Sequence, residues 1–299
     1  MCGIVGLFIK NPELEQQLGE HLSNMLIEMT ERGPDSAGVA VYRNPVPNGA
    51  TKITVLSEDP DYAWDKLGRE VKEVFGKDAT TEVRATHAVI VAHDSAEVVH
   101  GWLNRDHPEL HLTSSGTTIE IYKEKGRPAD VIERFRLREL RGTHALGHTR
   151  MATESAVTTE HSHPFSTGLD LCLVHNGSLS NHNRLRESLR KNGVKFQTDN
   201  DSEVAAGYLM WRMREGATLD QALEAAIRDL DGFYTFAVGT RDGFGVLRDP
   251  IGCKPAVMAE TDDWVAMSSE FRAIATLPGA DDARIWEPVP EKIYSWQRS

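Results

Sequence analysis

The order and spacing of apolar segments constrain the fold of this chain more than any other feature. A short apolar run at 4–9 is stopped by a polar, proline-containing turn, and leucines and methionines then recur at helical spacing from Leu14 to Met29. The last third holds four more short runs between turn signals, at 233–239, 244–247, 255–259 and 264–268. Short bounded runs are typical of buried strands. Many such strands, with helices arriving in pairs, predict stacked layers with sheets inside and helices outside.

The middle of the chain also alternates helical and strand patterns. We interpret the stretch from about 61 to 141 as an α/β insertion, with helices at 63–75, 96–103 and 128–140 and strands at 87–92 and 117–122. Strands at 39–42 and 53–56 flank the turn-rich NPVPNG, which indicates a hairpin or a loop excursion.

Boundary signals place three helix ends. Gly33 is expected to cap the first helix at its C-terminus. A later helix is expected at about 202–214, and another begins at a capping box formed by Thr218 and Gln221.

Composition and charge exclude several classes of protein. The 299 residues carry a formal net charge of −12, from 33 Lys and Arg against 45 Asp and Glu. Because neutralising phosphates needs clustered basic side chains, we exclude nucleic acid as a partner. No apolar run approaches the ~18 residues of a membrane span, and the start lacks the basic residue of a secretory signal. We therefore expect a cytoplasmic protein without a membrane partner.

The cysteines and histidines do not suggest a metal centre. The three cysteines include no CxxC pair, which favours a reducing compartment and argues against structural zinc. His161, His163 and His175 recur without a carboxylate or thiol at ligand spacing, so we expect histidines that pack loops and no metal. Cys172 and Cys253 are expected to be buried and inert.

Cys2 stands where it would become the first residue once Met1 is removed. A free α-amine with a pKa of ~7.7 to 8.0 can take the thiol proton, so one residue supplies both nucleophile and base. Gly3 and Gly6 add no bulk beside the thiol. Taken alone, Cys2 fits an inert cysteine in a first strand better than a nucleophile.

Eight motifs distributed along the chain favour the interpretation of Cys2 as a nucleophile. They are CGIVG (2–6), RGPDS (32–36), GHTRMAT (147–153), SHPF (162–165), HNGSLSN (175–181), NDSEV (200–204), GFYTFAV (232–238) and RDPIGCKP (248–255). In this order they resemble the glutamine amidotransferase type 2 domain, a family of N-terminal nucleophile hydrolases. The resemblance implies an α+β fold, a four-layer α/β/β/α sandwich over 2–299 with the 61–141 insertion inside it.

The resemblance also implies the catalytic residues. Cys2 matches the nucleophile, and Asn176 and Gly177 match an oxyanion-hole pair on a loop after a strand at 171–174. Without the resemblance, Asn-Gly indicates a type I′ turn, and both interpretations can hold together.

Recognition of a free amino acid requires a cation for its carboxylate and an anion for its ammonium group. Arg150 and Thr153 match the carboxylate-binding positions, and Asp201 matches the ammonium-binding one. The alternatives are a surface ion pair for Arg150 and a helix cap for Asp201. Arg32 and Asp35 match a turn that supports the active site.

The chain has no Rossmann, P-loop, flavin or iron–sulfur motif, so we expect no cofactor here and place the acceptor chemistry on another polypeptide. It looks most like the amidotransferase subunit of glutamate-synthase-like complexes such as N-methylglutamate synthase, whose synthase subunits bear FMN and iron–sulfur clusters. The sequence thus predicts a glutaminase subunit that cleaves L-glutamine and supplies nitrogen to a synthase partner. The alternatives are a free-standing amidohydrolase acting on another γ-glutamyl or amide substrate, and a non-catalytic docking subunit.

Overall fold

The computed structural model describes residues 2–151 and 158–298. The strands are β1 (Gly3–Ile9), β2 (Ser36–Tyr42), β3 (Thr51–Leu56), β4 (Thr80–Arg84), β5 (His87–Ala92), β6 (His111–Gly116), β7 (Ile119–Lys125), β8 (His144–Arg150), β9 (Phe165–Gly168), β10 (Leu171–Leu179), β11 (Gly232–Gly239), β12 (Gly243–Arg248), β13 (Val257–Glu260), β14 (Trp264–Ser268), β15 (Arg284–Trp286) and β16 (Tyr294–Gln297). The α-helices are α1 (Leu18–Glu28), α2 (Trp64–Phe75), α3 (Ala96–Asp106), α4 (Pro128–Phe135), α5 (His182–Lys191), α6 (Asp201–Arg214), α7 (Leu219–Asp229) and α8 (Phe271–Ile274). Short 3-10 helices occupy Pro12–Gln17, Thr30–Arg32, Leu137–Glu139 and Ala280–Asp282.

Two antiparallel sheets stacked face to face form the centre of the molecule. One has seven strands in the order β15-β13-β14-β1-β8-β2-β7, and the other has five in the order β16-β12-β11-β10-β9. Side chains between the sheets form a shared apolar core. Helices α1, α4 and α8 cover the outer face of the seven-stranded sheet, and α5, α6 and α7 cover the five-stranded one. The predicted four-layer α/β/β/α fold is therefore confirmed. None of the described helices is long and apolar enough to cross a membrane.

Strand β1 shows why the first apolar run has no polar interruption. All seven residues of β1 are buried, because the strand lies between β14 and β8. Val5 and Leu7 join the core under the helices, whereas Ile4 and Phe8 join the core between the sheets. Side chains of a strand alternate between faces, so a strand covered on both faces is apolar throughout. Each such buried side chain contributes roughly 1.5–3 kcal/mol.

A third sheet, in the order β4-β5-β3-β6, combines with α2 and α3 in what we call the four-stranded unit, spanning 51–116. Its core is its own and contains Ile53, Leu67, Ile90 and Trp102. The unit differs from the predicted 61–141 stretch at both ends. Strand β3 belongs to it, whereas β7 pairs with β2 in the seven-stranded sheet and α4 packs against α1.

The structure decides two local predictions near the start. Strands β2 and β3 lie in different sheets, so NPVPNG is a loop excursion, one of the two expected alternatives, and not a hairpin. Gly33 does not cap α1, which ends at Glu28 with Met29 as its C-cap. A Cβ on Gly33 would lie 2.3 Å from the carbonyl carbon of Thr149, so glycine is needed there for close packing against β8.

Later elements were partly predicted. The capping box of Thr218 and Gln221 is confirmed at the start of α7, and α6 agrees with the expected helix. Strands β4 and β6 and helix α5 were not predicted, because their sequences are largely polar and carry no run of apolar residues.

Candidate active site

The start of β1 is closely enclosed by its neighbours. Gly3 lies opposite Thr149 of β8, and a Cβ on Gly3 would lie 2.7 Å from Thr149 Oγ1 and 2.9 Å from Met29 Cβ. Glycine is therefore required directly after Cys2 because of packing against Thr149 and Met29, whereas the sequence suggested only that it leaves room beside the thiol. Cys2 itself is half-buried with a free thiol.

Asn176 reaches Cys2 from the opposite sheet. Its Nδ2 donates to the carbonyl oxygen of Cys2 at 3.3 Å, and the side chain is 4% exposed. Asn176 and Gly177 lie within β10, opposite Thr235 and Tyr234 of β11. The predicted loop after 174 and the type I′ turn are therefore wrong, because pairing with β11 extends the strand through both residues.

Gly177 occupies a position that only glycine suits. Its φ is +150°, and a Cβ there would lie 2.0 Å from the carbonyl oxygen of Phe233. Side chains disfavour this backbone region, so the Asn-Gly pair is a constrained point within a strand.

Arg32 also contacts Cys2. Its Nε donates to the Cys2 carbonyl oxygen at 3.0 Å, and its Nη1 forms an ion pair with Glu270 Oε1 at 2.7 Å. Asp35 is linked to the neighbouring β8, since its backbone N–H donates to the carbonyl oxygen of Arg150 at 3.0 Å. Glu270 was not singled out in the sequence, and the only available signal was an acidic residue two positions after the end of a buried strand.

Arg150 ends strand β8. Because Gly3 pairs with Thr149, continuing the register by one residue places Arg150 opposite Cys2. Its Nη1 donates to the carbonyl oxygen of His161 at 3.4 Å. Thr153, the other predicted carboxylate ligand, lies outside the described residues.

Asp201 is the first residue of α6 but not its cap. The cap is Asn200, whose side-chain oxygen accepts from the N–H of Ser202 at 2.8 Å. The Asp201 carboxylate instead accepts from the N–H of Leu179 at 2.9 Å, at the end of β10. The helix-cap alternative for Asp201 is therefore wrong, and its carboxylate is tied to the strand that carries Asn176.

Three buried histidines form a cluster that includes His175 of β10. His163 Nε2 and His175 Nδ1 lie 2.8 Å and 2.9 Å from the hydroxyl oxygen of Ser202, and the ring of His148 stacks on that of His163 at 4.0 Å. Burial lowers the pKa of His148 to about 3, holds the pKa of His163 well below its usual range and lowers that of His175. All three are therefore neutral at pH 7.

These histidines pack the interior. Within 2–151 and 158–298, no group of three or more His, Cys, Asp or Glu side chains is placed to hold a metal ion. His148 and Ser202 lay inside recognised motifs, but nothing in the sequence pointed to this network, because its members come from four separate segments.

The other two cysteines differ from each other. Cys172 is fully buried, and burial raises the pKa of its thiol to about 12, in keeping with an inert side chain. Cys253 is exposed, so the expectation that it is buried was wrong.

Comparisons with known proteins show the family to which the chain belongs. Residues 148–276 match the family model of the glutamine amidotransferase domain. The chain is 54% identical over 297 residues to the glutamine amidotransferase-like protein GlxB of Rhizobium meliloti (strain 1021), covering 99% of this chain and 98% of that protein. It is 32% identical over 168 residues to the amidophosphoribosyltransferase of Methanocaldococcus jannaschii, which covers 55% of this chain and 36% of that one.

The fold is shared with a solved structure. The glutamine phosphoribosylpyrophosphate amidotransferase of B. subtilis, complexed with ADP and GMP, superposes with a TM-score of 0.60 at 20% identity. The match covers 99% of this chain, which spans 49% of that chain's length. This likeness supports the N-terminal nucleophile hydrolase fold, and the near full-length relative supplies the family. The chain belongs to the glutamine amidotransferase family, as a type 2 member and an enzyme of the amidotransferase type.

Proposed function

We propose that this protein is a glutaminase subunit that hydrolyses the side-chain amide of L-glutamine and supplies ammonia or amine nitrogen to a partner synthase subunit. The nucleophile is the thiolate of Cys2, exposed as the first residue when Met1 is removed. The observation that carries the proposal is the contact of Asn176 Nδ2 with the Cys2 carbonyl oxygen at 3.3 Å. It brings an amide donor from one sheet to the start of the central strand of the other.

The chemistry follows from the groups gathered there. The α-amine of Cys2 accepts the thiol proton, and the thiolate sulfur attacks the amide carbon of glutamine. Asn176 Nδ2 carries two hydrogens, so it can bond the Cys2 carbonyl with one and the developing oxyanion with the other. The amine then protonates the leaving ammonia, and water hydrolyses the resulting thioester to glutamate. Gly177 is proposed as the second, backbone donor, and one such donor typically stabilises the transition state by ~2.7–4 kcal/mol.

Recognition of the amino-acid head is assigned to Arg150, Thr153 and Asp201. Arg150 lies opposite Cys2 by strand register, and a guanidinium can bind a carboxylate through two parallel hydrogen bonds. Asp201 is held by the N–H of Leu179 at 2.9 Å, which fixes its carboxylate at the end of β10. A cation that binds the carboxylate and an anion that binds the ammonium group would favour a free α-amino acid over other amide substrates.

The partner is proposed to be a synthase of the glutamate-synthase or N-methylglutamate-synthase type, carrying FMN and iron–sulfur clusters. The supporting observation is the sequence itself, which contains no motif for the acceptor chemistry. Affinity purification from the native host tests this part. Co-purifying subunits with flavin and iron–sulfur absorption support the proposal, and a chain recovered with no such subunits contradicts it.

Glutaminase assays of the complex test the reaction. We expect Cys2→Ser to abolish ammonia release, and Arg150→Ala to raise the KM for glutamine at least ~10-fold, because a charge-assisted carboxylate contact is lost. Arg134→Ala is a matched control, since Arg134 is an exposed arginine in α4 that pairs with Glu124. Turnover of γ-glutamyl compounds lacking the α-carboxylate, at the same rate as glutamine, would favour the free-standing amidohydrolase instead. A complex with no glutaminase activity would favour the docking subunit.

A further inference from the structure

We infer that Glu270 is a positioning residue for the nucleophile, acting on Cys2 through Arg32. Glu270 Oε1 pairs with Arg32 Nη1 at 2.7 Å, and Arg32 Nε donates to the Cys2 carbonyl oxygen at 3.0 Å. Glu270 does not touch the reacting atoms in this arrangement. The inference rests on the proposed function, since it concerns the same nucleophile.

The strand pairing explains why residue 270 meets residue 2. Val5 pairs with Ser268 in the antiparallel contact of β1 with β14. The pairing continues past the end of β14, because the hydroxyl of Ser269 accepts from the N–H of Ile4 at 2.9 Å and the N–H of Ser269 donates to the Ile4 carbonyl oxygen at 3.0 Å. Glu270 therefore lies level with the first residues of β1, although 238 positions separate it from Arg32.

The Arg32 guanidinium depends on these two contacts. Its side chain is 9% exposed, and its Nη2 is buried without a hydrogen-bond partner among the described residues. When both Nε and Nη1 are held, the plane of the guanidinium is fixed. When only Nε is held, the plane can tilt by rotation about the side-chain bonds that lead to the group. A buried cation also requires a nearby anion. Glu270 supplies both the anchor and the charge.

The Glu270–Arg32 pair acts on the geometry of the nucleophile and not on the binding of the substrate. The carbonyl of Cys2 is bonded to its own Cα, so fixing that carbonyl limits the orientations open to the amine and thiol of the same residue. The proposed substrate ligands belong to other elements, since Arg150 ends β8 and Asp201 accepts from the N–H of Leu179 at the end of β10. Loss of Glu270 should therefore lower kcat and leave the KM for glutamine nearly unchanged.

Three variants of the full chain, assayed as the complex, test this. Glu270→Ala is expected to lower kcat about tenfold or more with KM within about twofold, because a misplaced reacting group slows catalysis without weakening binding. Glu270→Gln keeps an oxygen that accepts from Arg32 and should retain an intermediate kcat. Glu215→Ala is the matched control, because Glu215 is an exposed glutamate after α6 that pairs with Arg214. Its kcat and KM are expected to equal those of wild type.

The results of these assays distinguish a failure of the Glu270 inference from a failure of the proposed glutaminase function. A wild-type complex without glutaminase activity overturns both. An active wild type with unchanged kcat in Glu270→Ala overturns the inference alone, as does a change confined to KM. Thermal melts establish that each variant is folded. If Glu270→Ala does not fold, the near-isosteric Glu270→Gln decides, and a kcat equal to that of wild type then contradicts the inference.

Discussion

The carbonyl oxygen of Cys2 accepts hydrogen bonds from two side chains that come from different layers of the sandwich. Arg32 follows α1 on the helical side of the seven-stranded sheet and donates at 3.0 Å. Asn176 lies on the five-stranded sheet and donates at 3.3 Å. The placement of this one residue therefore depends on the packing of three layers, which explains how a cysteine next to the chain start can be held in a defined position.

The role of Asn176 can be measured directly. Asn176→Ala should lower kcat by roughly 10²–10³, since an oxyanion donor is lost, and should change the KM for glutamine much less. Asn192→Ala is a suitable control, because Asn192 is an exposed residue after α5 whose side-chain amide donates to the carbonyl oxygen of Ser188 in the same helix. Equal kcat values for Asn176→Ala and wild type would remove Asn176 from the proposed oxyanion hole.

At this scale the sequence predicted some contacts and missed others. Cys2, Arg32 and Asn176 were singled out, and the structure brings them together. Glu270 was missed because its partner lies 238 positions away and an isolated glutamate carries no local pattern. The exposure of Cys253 was also missed, because burial of a single cysteine is decided by tertiary packing and not by its neighbours in sequence.

Strand β10 and helix α6 form the element pair that joins the two proposed halves of the site. The strand carries Asn176 and Gly177, and its last N–H, from Leu179, donates to Asp201 at the first turn of α6 at 2.9 Å. The Asn-Gly pair predicted a turn from local preference alone. Pairing with β11 overrides that preference, so the strand continues and the positive φ of Gly177 is accommodated inside a sheet.

The constraint at Gly177 predicts a loss of stability on substitution. Gly177→Ala combines an unfavourable φ with a Cβ that would lie 2.0 Å from the Phe233 carbonyl oxygen. We expect a loss of at least ~1–3 kcal/mol in the free energy of unfolding, the usual cost of backbone strain, with the steric clash added to it.

Gly216→Ala is a control that separates the effect of backbone strain from that of the steric clash. Gly216 also has a positive φ, of +97°, but a Cβ there would meet nothing within 4 Å. Urea unfolding of both variants should show the larger loss for Gly177→Ala. Equal losses would mean that β10 is not constrained as described.

At the scale of the whole molecule, the layer order followed from the sequence, but the limits of the third sheet did not. Alternating apolar strands and amphipathic helices predict sheets covered by helices. They do not say which sheet a strand joins, since β2 and β3 are both fully buried and lie in different sheets.

The side chain of Asp170 contacts the segment that joins the four-stranded unit to the central sandwich. Both carboxylate oxygens of Asp170, in the turn between β9 and β10, accept from the backbone N–H groups of Thr117 and Thr118 at 2.8–2.9 Å. The link lies between β6 of the unit and β7 of the seven-stranded sheet. Asp170 has a positive φ of 53°, and no pattern in the sequence marked it as a junction.

The central claim is that Cys2 is the N-terminal nucleophile of a glutamine-cleaving site. It is tested most directly by treating the purified protein with a glutamine-like chloroketone and mapping the adduct by mass spectrometry. A Cys253→Ser background removes the exposed competing thiol. We predict a chain that begins at Cys2, one adduct on that residue, and slower labelling in the presence of glutamine. A retained Met1, or an adduct elsewhere with Cys2 unmodified, would contradict the account.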